Sequence, residues 1–220
     1  MTERIWRILV ESFPKILLPG LRMTLPLTAI AFAIAMVIAI VVAMIQFAHV
    51  KVLTQLSRFY IWVIRGTPLL VQAYFIYFGV TGVLGIRMSA FTAGVIALSL
   101  NAGGYMSEIF RGGIQAVDPG QREAARSLGL SASQTTWRII IPQAIRICIP
   151  SVVNQWCITI KDTSIICVIG LAELTRAGQT IIARNYRAFE MWIMVGALYL
   201  LVIYLLTVLS RIVERKVSLD

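Results

Sequence analysis

Three charged side chains lie inside apolar stretches of the sequence, where water is not available to solvate them. Glu108 follows a glycine-containing apolar run, and Lys161 and Asp162 stand side by side late in another. A charge near the middle of a bilayer costs at least about 2.5–3.5 kcal/mol on insertion scales, so such a residue is first interpreted as functional. One alternative stays open for Glu108: it pairs with Arg111 one helical turn away, or with Lys161, and only neutralises buried charge.

Uncharged polar side chains accompany these charges. On a helix, Asn101, Tyr105 and Glu108 fall at i, i+4 and i+7 and therefore share one face. Ser164 adds a hydroxyl two residues after Asp162, and Gln72 lies within an earlier apolar run. Six residues are therefore our candidates for contacting a polar ligand inside a membrane: Gln72, Asn101, Glu108, Lys161, Asp162 and Ser164.

The elements that position these residues are predicted to be membrane-spanning helices. The 220 residues are 59% hydrophobic and 14% charged, against about 25% charged in soluble domains. A span needs about 20 apolar residues. The sequence predicts an all-α integral membrane protein, a single domain over 1–220, with an amphipathic surface helix at 5–18. It also predicts five transmembrane helices, at 21–47, 59–84, 88–117, 145–169 and 188–213.

Lysine and arginine in the short loops indicate the orientation. The formal charge is +10, but the basic residues are scattered among loops, which favours anionic lipid headgroups as neighbours and gives no support to a nucleic-acid partner. The side richer in basic residues is cytoplasmic by the positive-inside rule, and five spans put the termini on opposite sides. We expect the N-terminus outside and the C-terminus in the cytoplasm.

The polar loop at 118–142 carries signals for two short helices. Asp118 is a cap in front of Pro119, with Gln121 placed to reach back, and Gly129 is a left-handed stop. Ser131 and Gln134 form a second capping pair, and that helix is expected to end before Pro142. Capping alone also fits a helix that merely lies along the membrane surface.

The residue identities of this loop favour a more specific interpretation. Glu123-Ala124-Ala125, followed by Gly129 and by Ile141-Pro142, resembles the EAA loop of importer permeases of the ATP-binding cassette superfamily. The chain as a whole is similar to the polar amino acid permeases within that superfamily. Three further runs carry this resemblance: Arg65-Gly66-Thr67-Pro68-Leu69, Gly104-Tyr105 with Glu108 and Arg111-Gly112-Gly113-Ile114, and Lys161-Asp162-Thr163-Ser164.

The resemblance implies a fold, a location and a set of partners. It implies a type I importer fold in the bacterial inner membrane, a solute-binding protein outside, and a second permease copy in a homodimer or heterodimer. It also implies that the loop is a coupling helix docked on a separate ATPase. The docking residues would be Glu123, Ala124, Ala125, Arg126, Leu128, Gly129 and Trp137.

The resemblance further implies that the cargo is a polar amino acid, such as a basic amino acid, glutamine, glutamate or cystine. Such a molecule carries an ammonium and a carboxylate, which Asp162 and Lys161 or Ser164 match.

The sequence has no phosphate-binding loop of the Gly-x-x-x-x-Gly-Lys-Ser/Thr type. We therefore expect ATP and Mg²⁺ on a partner chain and no cofactor on this one. An intramembrane enzyme would need a nucleophile with its base or a metal cluster, and the sole histidine, His49, is expected to be solvated in a loop. We expect neither catalytic residues nor a metal site. The remaining alternative is a secondary transporter or channel without an ATPase.

Overall fold

The computed structural model describes residues 2–48 and 50–218, so His49 lies outside the described residues. Every regular element in these ranges is helical. The α-helices are α1 Thr2–Pro19, α2 Leu25–Ala48, α3 Lys51–Gly66, α4 Leu69–Tyr74, α5 Thr81–Leu84, α6 Ala90–Gln115, α7 Pro119–Ser127, α8 Ala132–Thr135, α9 Ile141–Asp162, α10 Leu174–Asn185 and α11 Ala188–Ser218. Three π turns occupy Gly20–Thr24, Phe75–Val80 and Thr136–Ile140, and a 3-10 helix occupies Thr163–Ile169.

Three helical stretches within the described residues are long and apolar enough to cross a membrane: Trp6–Phe47, Ala132–Ile169 and Ala188–Val208. A fourth is added if α3 and the helical run Leu69–Leu84 count as one bent span. The remaining expected span, 88–117, corresponds to α6, which has 26 residues but is less apolar because it carries Ser99, Asn101 and several glycines. The structure therefore gives an all-helical chain with three or four apolar spans.

The expected continuous helix at 59–84 is wrong. The chain breaks between α3 and α4, and the two parts meet at an angle of 108°. Thr67 and Pro68 adopt extended backbone angles there, and for Thr67 the cause is the ring of Pro68, which disfavours the helical region for the preceding residue. Gly66-Thr67-Pro68 was the signal for this break.

The N-terminal helix also differs from the expected separate surface helix. Helix α1 continues through the π turn Gly20–Thr24 directly into α2. One face of α1 packs against α10 and α11, where Ile16 is fully buried beside Leu174 and Met191. This buried apolar contact explains why α1 does not separate from the rest of the fold.

Small residues let α2, α3 and α6 approach closely. Added Cβ atoms would come within 2.8 Å of the Ile38 side chain at Gly103, and within 2.8 Å of the Ile64 side chain at Gly104. The Tyr60 hydroxyl donates to the Leu100 carbonyl oxygen at 2.6 Å. Gly103 and Gly104 thus serve helix packing, which holds the polar face of α6 against the break after α3.

Candidate functional site

The first candidate region is the elbow, defined here as residues 118–142, and its start follows from the sequence. The Asp118 side chain accepts a hydrogen bond from the Gly120 backbone N–H at 2.7 Å, and Pro119 begins α7. This confirms the predicted cap. Gln121 does not reach back to the cap, because its side-chain oxygen instead accepts from the Gln143 amide at 3.3 Å. That contact ties the start of the elbow to α9.

A left-handed glycine ends α7, as the sequence predicted. Gly129 has a φ of 80°. Its N–H donates to the Arg126 carbonyl at 2.9 Å, and the Leu130 N–H donates to the Ala125 carbonyl at 3.1 Å. These two bonds form a Schellman motif, which satisfies carbonyls that the end of a helix leaves unpaired. The chain therefore turns sharply and in a fixed geometry at Gly129.

The second half of the elbow is partly different from the expectation. The capping box is confirmed: the Gln134 N–H donates to the Ser131 hydroxyl at 3.2 Å and the Ser131 N–H to the Gln134 side chain at 2.9 Å. The helix does not end before Pro142. It passes through the π turn Thr136–Ile140 into α9, with Pro142 in the first turn of α9, where a missing N–H is tolerated. The elbow is thus joined to a membrane-spanning helix without a flexible link.

Most of the predicted docking residues are exposed. Leu128 is 82% exposed and Trp137 59%. Glu123, Ala124 and Arg126 are exposed as well, and they share the elbow with these apolar side chains. Ala125 is only 4% exposed and therefore belongs to the packing of the elbow. Large exposed apolar side chains rimmed by charge are typical of a protein-binding surface.

The second candidate region lies at the break after α3, where the structure brings two predicted residues together. The Asn101 side-chain amide donates to the Gln72 side-chain oxygen at 3.0 Å. The Gln72 amide in turn donates to the Ile64 carbonyl at 2.8 Å and to the Thr67 carbonyl at 3.1 Å. Both side chains are at least 91% buried. In this arrangement Gln72 satisfies carbonyls that the break removes from helical bonding, and Asn101 holds the Gln72 side chain in place.

Glu108 is neutralised within the same area. Its carboxylate accepts from the Arg111 guanidinium at 2.7 and 3.0 Å, as one of the two alternatives predicted. Arg65 at the end of α3 adds a contact of 3.4 Å and lies 5.6 Å from the centre of the Tyr105 ring. Among the described residues Glu108 has no ion pair with Lys161, so the two sets of charges predicted to lie in the membrane are separate. Arg65 is a partner that helical spacing did not reveal.

Lys161, Asp162 and Ser164 lie where α9 gives way to the 3-10 helix Thr163–Ile169. The Ser164 hydroxyl donates to the Lys161 carbonyl at 2.6 Å. Within the described part of the chain, the Lys161 ammonium and the Asp162 carboxylate have no ion pair and no hydrogen bond. Short 3-10 turns are frequent at the ends of α-helices, but a run of seven residues is longer than usual. The two charges attract each other without a close contact, so both remain available to an external ligand.

Sequence analysis missed Glu173, which caps α10 and is fully buried. Its carboxylate accepts from the Arg176 N–H at 2.8 Å and from the Tyr199 hydroxyl at 2.8 Å. Burial raises the pKa of this carboxyl above its ordinary value. A carboxylate three residues before the N–H that it binds is a local signal for such a cap, but its contact with α11 is not visible in the sequence.

Within residues 2–48 and 50–218, no cluster of three or more His, Cys, Asp or Glu side chains is arranged to hold a metal ion.

Comparison with known proteins gives consistent matches. Residues 35–219 match the family model described as binding-protein-dependent transport system inner membrane component. The glutamine transport system permease protein GlnP of Escherichia coli (strain K12) is 39% identical over 215 residues, covering 97% of this chain and 98% of that protein. The L-cystine transport system permease protein TcyB of Bacillus subtilis (strain 168) is 37% identical over 214 residues, covering 97% and 91%.

Solved structures agree with these relatives. A crystal structure of an amino acid ABC transporter with histidines is 40% identical, has a TM-score of 0.89, and is matched over 94% of this chain and 96% of that one. An inward-facing MetNI methionine ABC transporter has a TM-score of 0.69 at 16% identity, with 99% of both chains covered, and so shares the fold.

Proposed function

The chain belongs to the family of binding-protein-dependent transport system inner membrane components, and from this membership we propose that it is the permease subunit of an ATP-driven importer for polar amino acids. The relatives are named for glutamine, L-cystine and arginine transport, which supports the cargo class without selecting one amino acid. The partners would be a separate ATPase, an extracytoplasmic solute-binding protein and a second permease, identical or related.

The elbow is the observation that carries this proposal. A channel or secondary transporter has no need of a capped helix that presents Leu128 and Trp137 to solvent. An ATP-driven permease needs such a helix, because a helix seated in a groove is a rigid way to receive force from a partner. ATP and Mg²⁺ would be bound by that partner. Glu123 and Arg126 would form the charged rim of the interface, and Gly129 would fix the turn behind it.

The proposed topology adds α6 to the apolar stretches as a crossing helix, which gives five spans in one domain over 1–220. The bent pair of α3 and Leu69–Leu84 would be the second crossing. The elbow would then face the cytoplasm of a bacterial cell together with the C-terminus, and the N-terminus would lie outside. The basic residues in the loops on the elbow side support this orientation.

Coupling would operate through the continuous helical connection from α8 to α9. When two ATPase subunits close around nucleotide, their grooves would move the paired elbows. Each elbow would tilt α9 as one body, because no loop separates α8 from α9. The tilt would switch the translocation path between outward-open and inward-open arrangements. This is a two-state change in which the elbow and α9 move as one rigid element.

We propose that cargo is recognised at the end of α9. Asp162 would bind the amino acid ammonium, and Lys161 with the Ser164 hydroxyl would bind its carboxylate. The absence of ion-pair partners for these two charges among the described residues supports this assignment. Three further candidates would support this site by holding the break between α3 and α4 close to it: Gln72, Asn101 and Glu108.

Copurification tests the function. The chain, tagged and purified in mild detergent from its native membrane, should bring an ATPase with a phosphate-binding loop that mass spectrometry identifies. Leu128→Asp should abolish this association, whereas Arg184→Gln, at an exposed position on α10, should not. Recovery of the chain alone, under conditions that keep a known importer intact, would replace the importer by a channel or secondary transporter.

A separate assay tests the cargo site. Asp162→Asn keeps the shape of the side chain and removes its charge, so reconstituted importer should lose amino acid uptake while keeping its ATPase partner. Glu190→Gln is the matched control, because Glu190 near the start of α11 pairs with Arg187 and, among the described residues, makes no ion pair with Lys161 or Asp162. Normal uptake by Asp162→Asn would show that the charge does not bind the ammonium.

A further inference from the structure

A cavity of about 610 Å³ lies beside the elbow, and apart from Glu108 none of its lining residues was assigned to the cargo site. Its walls are the C-terminal end of α2, the first three turns of α3, the C-terminal half of α6, and α7. The volume falls within the range of ordinary ligand sites, about 300–1,000 Å³. A smaller cavity of about 210 Å³ adjoins it and shares Thr54 and Arg58 with it.

The charge of this cavity is unbalanced. Three arginines line it, Arg58, Arg111 and Arg122, against the single carboxylate of Glu108. Arg111 is already bound to that carboxylate, at 2.7 Å. Arg58 and Arg122 make no ion pair or hydrogen bond with any described residue, and Lys51 lines the adjoining cavity. Two guanidinium groups therefore point to an anionic ligand.

The rest of the lining is apolar. Phe47 from α2 and Trp62 from α3 are 46% and 71% exposed, and Ile61 and Ile114 lie between the helices. A free phosphate or another small anion would leave these surfaces in water. A molecule with an anionic head and an apolar tail would cover both parts of the cavity.

We propose that this cavity binds the phosphate headgroup of an anionic membrane lipid, with Arg58 and Arg122 on the phosphate and Phe47 and Trp62 against the acyl chain. The inference uses the cytoplasmic placement of the elbow and in that respect rests on the proposed function. Basic pockets between spanning helices on the cytoplasmic side are suited to such headgroups. Because Arg122 lies on α7, the bound lipid would link the elbow to the membrane surface.

Lipid retention by the purified importer tests this proposal. The complex would be equilibrated with phosphatidylglycerol or with phosphatidylcholine in detergent and its bound lipid counted by native mass spectrometry. Arg58→Gln with Arg122→Gln should weaken phosphatidylglycerol retention about 30-fold, which corresponds to about 2 kcal/mol. Arg58→Lys with Arg122→Lys should retain it, and Arg146→Gln, an exposed arginine of α9 outside the cavity, should behave as wild type.

Several results would overturn the proposal. Equal retention of phosphatidylcholine would show an apolar groove without headgroup recognition, and displacement by inorganic phosphate would show a site for a free anion. A disulfide between two copies carrying Trp62→Cys would show that a second permease covers the cavity. Loss of the ATPase from wild-type preparations would instead contradict the transport function, while leaving the lipid measurement valid.

Discussion

Replacing Gly129 isolates the contribution of the elbow turn to the coupling between ATP hydrolysis and transport. Gly129 holds a φ of 80°, and a Cβ added there would meet no atom within 4 Å. A substitution therefore adds no clash, and its cost is the left-handed conformation alone, about 1–2 kcal/mol for a residue with a side chain. Alanine should cost the lower of these energies and β-branched valine the higher, whereas asparagine tolerates the left-handed conformation.

These energies convert into populations of the ordered turn. A loss of about 1–2 kcal/mol lowers the ratio of ordered to disordered elbow by a factor of about 5–30. We expect Gly129→Asn to couple transport to hydrolysis nearly as the wild type does, Gly129→Ala to couple less well, and Gly129→Val to couple poorly. The assay is amino acid uptake and phosphate release in the same proteoliposomes, expressed as uptake per ATP hydrolysed.

Gly112→Ala is the control for adding a methyl group, because Gly112 lies within α6 and its Cβ position is also open. That change should leave coupling intact and slightly increase helix stability. Normal uptake per ATP in Gly129→Val would refute the role of the turn. Equal loss in Gly129→Asn and Gly129→Val would show that any exposed side chain blocks docking and that the backbone conformation is irrelevant.

Three further substitutions probe the packing that supports the sites. Gly113→Ala should lower the unfolding temperature in detergent, at a cost of about 1–3 kcal/mol, because the added methyl group would overlap the Cys148 sulfur. Asn101→Ala should cost about 1–3 kcal/mol because it leaves the buried oxygen of Gln72 without its donor. Glu173→Gln should remove a pH dependence of stability. Burial raises the pKa of the Glu173 carboxyl above 4.5. The folded wild type therefore loses stability as pH rises from 4.5 toward neutrality, and the variant should not.

Each of these substitutions has a direct check. Adding Cys148→Ala to Gly113→Ala should recover part of the loss, and additive losses would contradict the proposed overlap. Asn101→Asp keeps an oxygen but not the donor, so it should be no better than alanine. Identical pH profiles of unfolding temperature for wild type and Glu173→Gln would contradict the buried-carboxyl explanation.

Local signals in the sequence predicted local structure well. The cap at Asp118, the capping box at Ser131 and the left-handed Gly129 each depend on a few neighbouring residues, and all three are confirmed. The break at Pro68 was also marked locally, but the apolar run on both sides favoured a continuous helix. Hydropathy measures solvent preference and carries no information on backbone direction.

Contacts between distant residues could not be predicted in the same way. Helical spacing placed Asn101 and Glu108 on one face, but their partners come from the two sides of the break, Gln72 from α4 and Arg65 from α3. Glu173 depends on Tyr199, which lies on another helix. One sequence without tertiary information gives no distance between such pairs, so their pairing became known only from the structure.

The π turn at Thr136–Ile140 sets the angular phase between the elbow and α9. Each residue of an α-helix advances the chain by about 100° and about 1.5 Å, so deleting one residue from this turn would rotate the elbow by about that angle around the axis of α9. Leu128 would then point in a new direction although neither α7 nor α9 had changed in composition. The direction in which Leu128 meets a partner thus depends on the number of residues in a turn that does not contain it.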